Sequence, residues 1–163
     1  MNTLFDAFIK KIQSPFRFGF FLATKLPAAF FVGLGLHSIT EDHCIISVKH
    51  TWRSKNPFKS VYFAAEAMAA EMSTGLLAFG HIHKRSPKIS MLVVKMEADY
   101  YKKGTGKLFF TCNDGLAIQN AVKQAIKTGE GITLVCSSIG KNELDETVAE
   151  FKFTWSFKAK KEL

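Results

Sequence analysis

Residues 56–80 read Asn56-Pro-Phe-Lys-Ser-Val-Tyr-Phe-Ala-Ala-Glu-Ala-Met-Ala-Ala-Glu-Met-Ser-Thr-Gly-Leu-Leu-Ala-Phe-Gly80. After Ser60 the run predicts a single helix, because Ala64, Ala65, Ala67, Met68, Ala69, Ala70 and Met72 are strong helix formers or small packers. Ser60 is the expected N-cap, and Gly80 is expected to close the helix in a left-handed turn. Apolar residues surround the helix on nearly every side, the mark of a buried helix. Two carboxylates interrupt it, Glu66 and Glu71. At ~100° per residue they point ~140° apart, so one solvated stripe cannot hold both. At least one is expected in a cleft or at a subunit interface, where it must be paired or neutralised.

The segments before this helix change period along the chain. Residues 2–13 put Leu4, Phe5, Phe8, Ile9 and Ile12 on one helical face, and Pro15 starts a second, Phe-rich helix that is expected to stop before Pro27. The two helices read as a cap on the core, since Lys10, Lys11, Arg17 and Lys25 are too few for a dedicated membrane anchor. From Val32 alternation takes over. Residues 32–39 and 43–53 predict a hairpin, turning at Glu41-Asp42 and leading into the Asn56 loop.

Beyond the helix the chain returns to strands. A basic link, His81-Ile-His-Lys-Arg-Ser-Pro-Lys88, leads to a long strand over 89–102. Lys103-Gly-Thr-Gly106 is a turn, and 107–112 is a further strand. Ile118, Val122, Ala125 and Ile126 then fall at helical spacing, with Gly129 closing that helix. Strands over 131–139 and 146–158 follow, and Lys158 to Lys161 form a charged tail. In the last strand, Thr147, Ala149, Phe151, Phe153, Trp155 and Phe157 share one face. Mostly antiparallel strands with one apolar helix against them make an α+β layer pair.

Composition narrows the function classes. A chain of 163 residues is a one-domain length that buries a real core. Its charge of +8, from 22 Lys+Arg against 14 Asp+Glu, suits solubility or an anionic partner such as a phosphate-bearing ligand. Cys44, Cys112 and Cys136 are odd in number and lack metal spacing, which points to a reduced, cytoplasmic chain. Leu26 to Leu36 is too short and too interrupted to span a membrane, so no integral membrane association is expected. A nucleic-acid binder would interleave aromatic and basic residues, whereas here the aromatics alternate into strand faces, so no nucleic-acid partner is expected. Ser73 and Thr74 lack a histidine at any recognisable spacing for a serine triad. His81-Ile-His83 lacks a third ligand, so it reads as an exposed basic loop and no metal is expected.

The element order, with an Asn loop entering a buried helix, resembles the hotdog fold, in which an antiparallel sheet of about six strands wraps around a long central helix. It is most similar to the hotdog thioesterases of the phenylacetate-pathway type, as an uncharacterised branch. The family motif opens with Asn, has His-Gly-Gly six positions later at the helix start, and carries Asp or Glu fifteen positions after the Asn. Asn56 and Glu71 match its two ends. Tyr62 stands where the histidine is usual, and Phe63-Ala64 where the two glycines are. The strand ending in Tyr100-Tyr-Lys-Lys-Gly-Thr-Gly is similar to the family's strand that ends in a basic residue and a Gly turn. The resemblance spans 28–158, implying one domain over 1–163 with a helical cap over 1–27.

The resemblance implies hydrolysis of an acyl-CoA thioester by a homodimer or dimer of dimers, with coenzyme A present only as part of the substrate. The thioester oxygen gains negative charge when water attacks, and backbone N–H groups at a helix start are aimed donors for it. Tyr62, Phe63 and Ala64 occupy that start. Glu71 is the implied base or nucleophile, and Asn56 orients the water or holds the loop. Lys55, Lys59, Lys84, Arg85 and Lys88 are the candidates for the coenzyme A phosphates. Each has a plainer reading: Glu71 as a buried carboxylate paired across a dimer, Glu66 as a paired interface residue, Asn56 as a turn residue and the lysines as solvated surface. The competing function is a non-catalytic hotdog dimer that binds an acyl or aromatic ligand. Helix rise separates Glu71 from the donors by ~11–12 Å, so the hydrolase reading implies a site shared between two subunits.

Overall fold

The computed structural model describes residues 3–160. Three helices come first: α1 (Thr3–Ile12), α2 (Pro15–Lys25) and α3 (Pro27–Val32). Strands β1 (Gly35–Ile39) and β2 (Cys44–Lys49) lead to the long helix α4 (Phe63–Ile82). Then come β3 (Ile89–Tyr100), β4 (Lys107–Cys112), α5 (Gly115–Thr128), β5 (Ile132–Lys141) and β6 (Thr147–Ala159). The six strands form one sheet in the order β1-β2-β4-β5-β6-β3, with every neighbouring pair antiparallel. Helix α4 packs against β2, β4, β5 and β6, and α5 covers β5 and β6 beside it. This is the α+β arrangement expected from the sequence.

Alternation places the core. In β6, Ala149, Phe151, Phe153, Trp155 and Phe157 are buried, and in β2 and β4 so are Cys44, Ile46, Val48, Leu108, Phe110 and Cys112. The three cysteine thiols are free and buried, and burial raises their pKa values, so they behave as inert apolar packing. Ser73 and Thr74 on α4 find their partners in the sheet. Ser73 and Ser138 hydroxyls lie 2.8 Å apart, and the Trp155 indole N–H donates to Thr74 at 3.0 Å.

Several local expectations are corrected. The segment after Pro27 forms the extra helix α3, closed by Gly33 in a left-handed conformation, and the first strand starts only at Gly35. Pro27 sits in the first turn of that helix, where a missing N–H costs nothing. Strand β2 stops at Lys49, leaving Trp52 exposed in a turn rather than on a strand face. Helix α4 begins at Phe63 with Tyr62 as its cap, because Ser60 is bonded within the preceding loop. Nor does Gly80 end the helix, which runs on to Ile82. A Cβ there would collide with the Phe5 ring, so the glycine serves close packing of α1 on α4. His81 lies in the last turn of α4, not in a basic loop. It is buried against Phe5 and hydrogen-bonded through Nε2 to the Glu41 carbonyl at 2.9 Å. Residues 2 and 161, at the ends of the expected first helix and tail, lie outside the described residues.

The cap helices pack as amphipathic helices do. Phe5, Phe8, Ile12, Phe18 and Leu22 are buried, whereas Phe16 and Phe20 face outward. Among the described residues, no helix is long and apolar enough to cross a membrane.

Candidate functional site

The site grows from the loop that carries the chain from β2 into α4. The Ser54 hydroxyl donates to the Lys49 carbonyl at 2.6 Å, pinning the loop to the end of β2. The Tyr62 amide donates to the Ser54 carbonyl at 2.7 Å, and Val61 donates to the Gly104 carbonyl at 2.7 Å. These bonds bring the start of α4 against the turn after β3. Asn56 organises the interior of the loop. Its Oδ1 accepts from the amides of Phe58 at 2.9 Å and Ser60 at 3.2 Å, while its Nδ2 donates to Ser60 Oγ at 2.9 Å and the Val61 carbonyl at 3.3 Å. An asparagine side chain mimicking a backbone turn in this way explains why the position suits Asn. Both ends of its amide are engaged by the loop itself.

At the start of α4, Ala65 and Glu66 donate to the Tyr62 carbonyl at 2.8 and 3.2 Å. The amides of Phe63 and Ala64, in the first turn, have no acceptor within the helix, which leaves them free to meet a ligand. Phe63 lines a pocket of about 550 Å³ together with Asn56, Tyr62, Glu66, Tyr100 and Lys103, among others. The rings of Tyr62 and Phe63 meet edge to face at 4.8 Å, and Phe63 meets Tyr100 at 6.4 Å. Pro57 and Asn56 separate this chamber from an outer one of about 440 Å³ that holds His50, Lys55 and Lys59.

Glu66 is the residue that the sequence reading undervalued. It is 3 % exposed, its Oε2 has no hydrogen-bond partner within the chain, and it lines the helix-start pocket. Burial pushes its carboxyl up to about 7. Backbone approaches it closely: a Cβ on Gly104 would stand 2.7 Å from Glu66 Oε1 and 2.6 Å from a Leu108 methyl. The signal was present in the spacing, since Tyr62 and Glu66 are four apart and share a helix face.

Glu71 lies elsewhere. It is half-buried on another side of α4, in a pocket of about 270 Å³ formed with Lys25, Leu26, Pro27, Ala28, Ala29, Met68 and Met72. Burial raises its carboxyl above the ordinary carboxylate range. The structure therefore gathers Asn56, Tyr62, Phe63, Ala64 and Glu66 at one place, with Lys55 and Lys59 just outside. It does not bring Glu71 to them within one chain. Lys84, Arg85 and Lys88 follow the far end of α4, about 29 Å along its axis from Phe63. There the Arg85 guanidinium donates to the His81 carbonyl at 3.0 Å and caps the helix.

Comparison with known proteins places this geometry in a wider set. PA5026 of Pseudomonas aeruginosa, a protein of unknown function described as a probable thioesterase, superposes with a TM-score of 0.75 at 17 % identity, covering 90 % of this chain and 97 % of that one. The thioesterase HI1161 of Haemophilus influenzae gives 0.68 at 13 %, covering 90 % and 91 %. The SAV0944 thioesterase of Staphylococcus aureus gives 0.62 at 18 %, covering 85 % and 98 %. SAV0944 has been solved as two alanine variants, one replacing a glutamine and the other a glutamate fifteen positions further along. At these identities the likeness is one of fold, and the shared fold is the hotdog. No curated protein matches the chain. A family model matches residues 17–156, and the chain belongs to that family, DUF4442, a domain of unknown function.

Proposed function

We propose that this protein hydrolyses an acyl-CoA thioester at a site shared by two subunits. The observation that carries the reading is the division of labour along α4. Phe63, at the start of the helix, lines one pocket, and Glu71 lies in another. Two antiparallel copies of α4 bring the helix start of one protomer to Glu71 of the other, twice per dimer. The fifteen-residue spacing from Asn56 to Glu71 supports the same pairing, because it equals that of the two residues replaced in SAV0944. Strand β3 supports the dimer. It is a 12-residue edge strand that exposes Leu92, Val94 and Met96, an open template for a second chain.

In the proposed reaction Glu71 takes a proton from water, whose oxygen attacks the thioester carbon. The carbonyl oxygen becomes negative and is held by the Phe63 and Ala64 amides at the positive end of α4. The C–S bond then breaks and Glu71 returns its proton to the leaving sulfur, giving the free acid and the thiol of coenzyme A. Burial makes Glu71 a stronger base than an exposed carboxylate, as this role needs. Lys55 and Lys59 line the outer chamber, which supports assigning them to the coenzyme A phosphates.

The test mixes two variants that are inactive alone, Glu71→Gln and Ala64→Pro. A mixed dimer gathers both lesions into one site and leaves the other intact. Thiol release from an acyl-CoA series should return in the mixture. Mixed dimers that form and stay inactive overturn the shared site. If the wild-type protein binds acyl-CoA but releases no thiol, it is the non-catalytic binding dimer, the reading favoured by the aromatic Tyr62-Phe63 pair standing in place of His-Gly.

A further inference from the structure

A buried carboxylate oxygen without a partner is costly, and a folded chain keeps one only where something else completes it. Glu66 Oε2 is such an atom. Glu66 itself lines the chamber at the start of α4 together with Phe63, and a glycine at position 104 leaves room for its carboxyl group. We propose that Glu66 is a second ligand-facing residue of this site, donating its carboxyl O–H to the carbonyl oxygen of an acyl ligand seated between Tyr62, Tyr100 and the start of α4.

The surroundings favour the neutral, donating form. The titratable or charged groups around the chamber are Tyr62 at the cap of α4, Tyr100 at the end of β3, and Tyr101, Lys102 and Lys103 in the turn that follows. Lys102 is engaged by Glu146 at 2.6 Å. Desolvation, rather than any charged neighbour, governs Glu66, and a bound acyl chain would displace more water from it. With the carboxyl protonated, the helix amides and Glu66 are all donors, so the chamber selects an acceptor such as a carbonyl oxygen. The proposal rests on the acyl-CoA reading for the identity of the ligand, but it requires binding and not turnover.

The experiment uses two non-hydrolysable probes. One is the amide analogue of octanoyl-CoA, with nitrogen in place of the thioester sulfur. The other is S-octyl coenzyme A, which lacks the carbonyl. Calorimetric titration of the wild-type protein should favour the amide analogue about tenfold near pH 6, and the preference should shrink near pH 8.5 as Glu66 ionises. Glu66→Gln keeps an N–H donor and should retain the preference at both pH values. Glu66→Leu should lose it while still binding S-octyl coenzyme A, which shows that the variant is folded. An unchanged preference in Glu66→Leu, or a wild-type preference that ignores pH, overturns the proposal. So does failure of both probes to bind the wild-type protein. Thiol release separates the two readings: turnover without carbonyl preference leaves the hydrolase standing and removes Glu66, and carbonyl preference without turnover does the reverse.

Discussion

Glu66→Gln should stabilise this protein, and the gain should depend on pH. The folded carboxyl sits at about 7 against 4.5 for the unconstrained group, with desolvation as the cause. A raised carboxyl is protonated more readily folded than unfolded. Its stability contribution is therefore intact below about pH 4.5 and is progressively lost as pH rises through about 7. Comparing the two titration curves, the cost of the folded charge rises from under ~1 kcal/mol at pH 5 to roughly 3 kcal/mol at pH 8. The pocket opens to water, which screens the charge, so the difference between the two pH values is roughly 2 kcal/mol. Glutamine keeps the shape and polarity but cannot ionise, so any constant packing cost cancels when the variant is compared with itself across pH. Urea unfolding at one protein concentration, followed by the fluorescence of buried Trp155, reads the effect directly. The variant should gain roughly 2 kcal/mol more over wild type at pH 8 than at pH 5, or about 4–8 °C in Tm. Equal gains at both pH values would mean that the Glu66 carboxyl is not desolvated in the folded protein, and the reasoning would fail.

Other outcomes follow from the same geometry. Glu71→Gln should keep the fold and lower turnover by about 10³-fold or more, measured by thiol release; unchanged activity removes it as the base. Gly80→Ala should destabilise by about 1–3 kcal/mol through the Phe5 ring, less up to ~1 kcal/mol regained in helix propensity, and Phe5→Leu in the same chain should recover part of the loss. His81 is held neutral by burial, its pKa lowered despite the Glu41 carbonyl. Stability should accordingly be present above its ordinary value of 6.5 and fall as the solution is acidified through the lowered one, a slope that His81→Asn should flatten. Light scattering at micromolar concentration should show a dimer or a dimer of dimers; a stable monomer counts against the shared site.

Which features could be read in advance depended on how local their causes are. The burial of α4, the face of β6 and the closing of α5 at Gly129 follow from side-chain period and glycine, both properties of neighbouring residues. The sequence alone therefore determined an α+β chain with one apolar helix against an antiparallel sheet, and the Asn56–Glu71 spacing that led to the hotdog resemblance. Contacts between distant segments decided the rest. Ser60 looked like a cap until Asn56 claimed it. Gly80 looked like a terminator until Phe5, 75 positions earlier, filled the space above it. Glu66 and Glu71 looked equivalent in an all-apolar helix, since periodicity says only that they point different ways. The turn at Gly104 and the residues around Pro27 put them in separate pockets, one at the helix start and one beside the cap helices. A carboxylate's role depends on what removes its water and what faces it, and those neighbours are chosen by the tertiary fold rather than by the residues beside it in the chain.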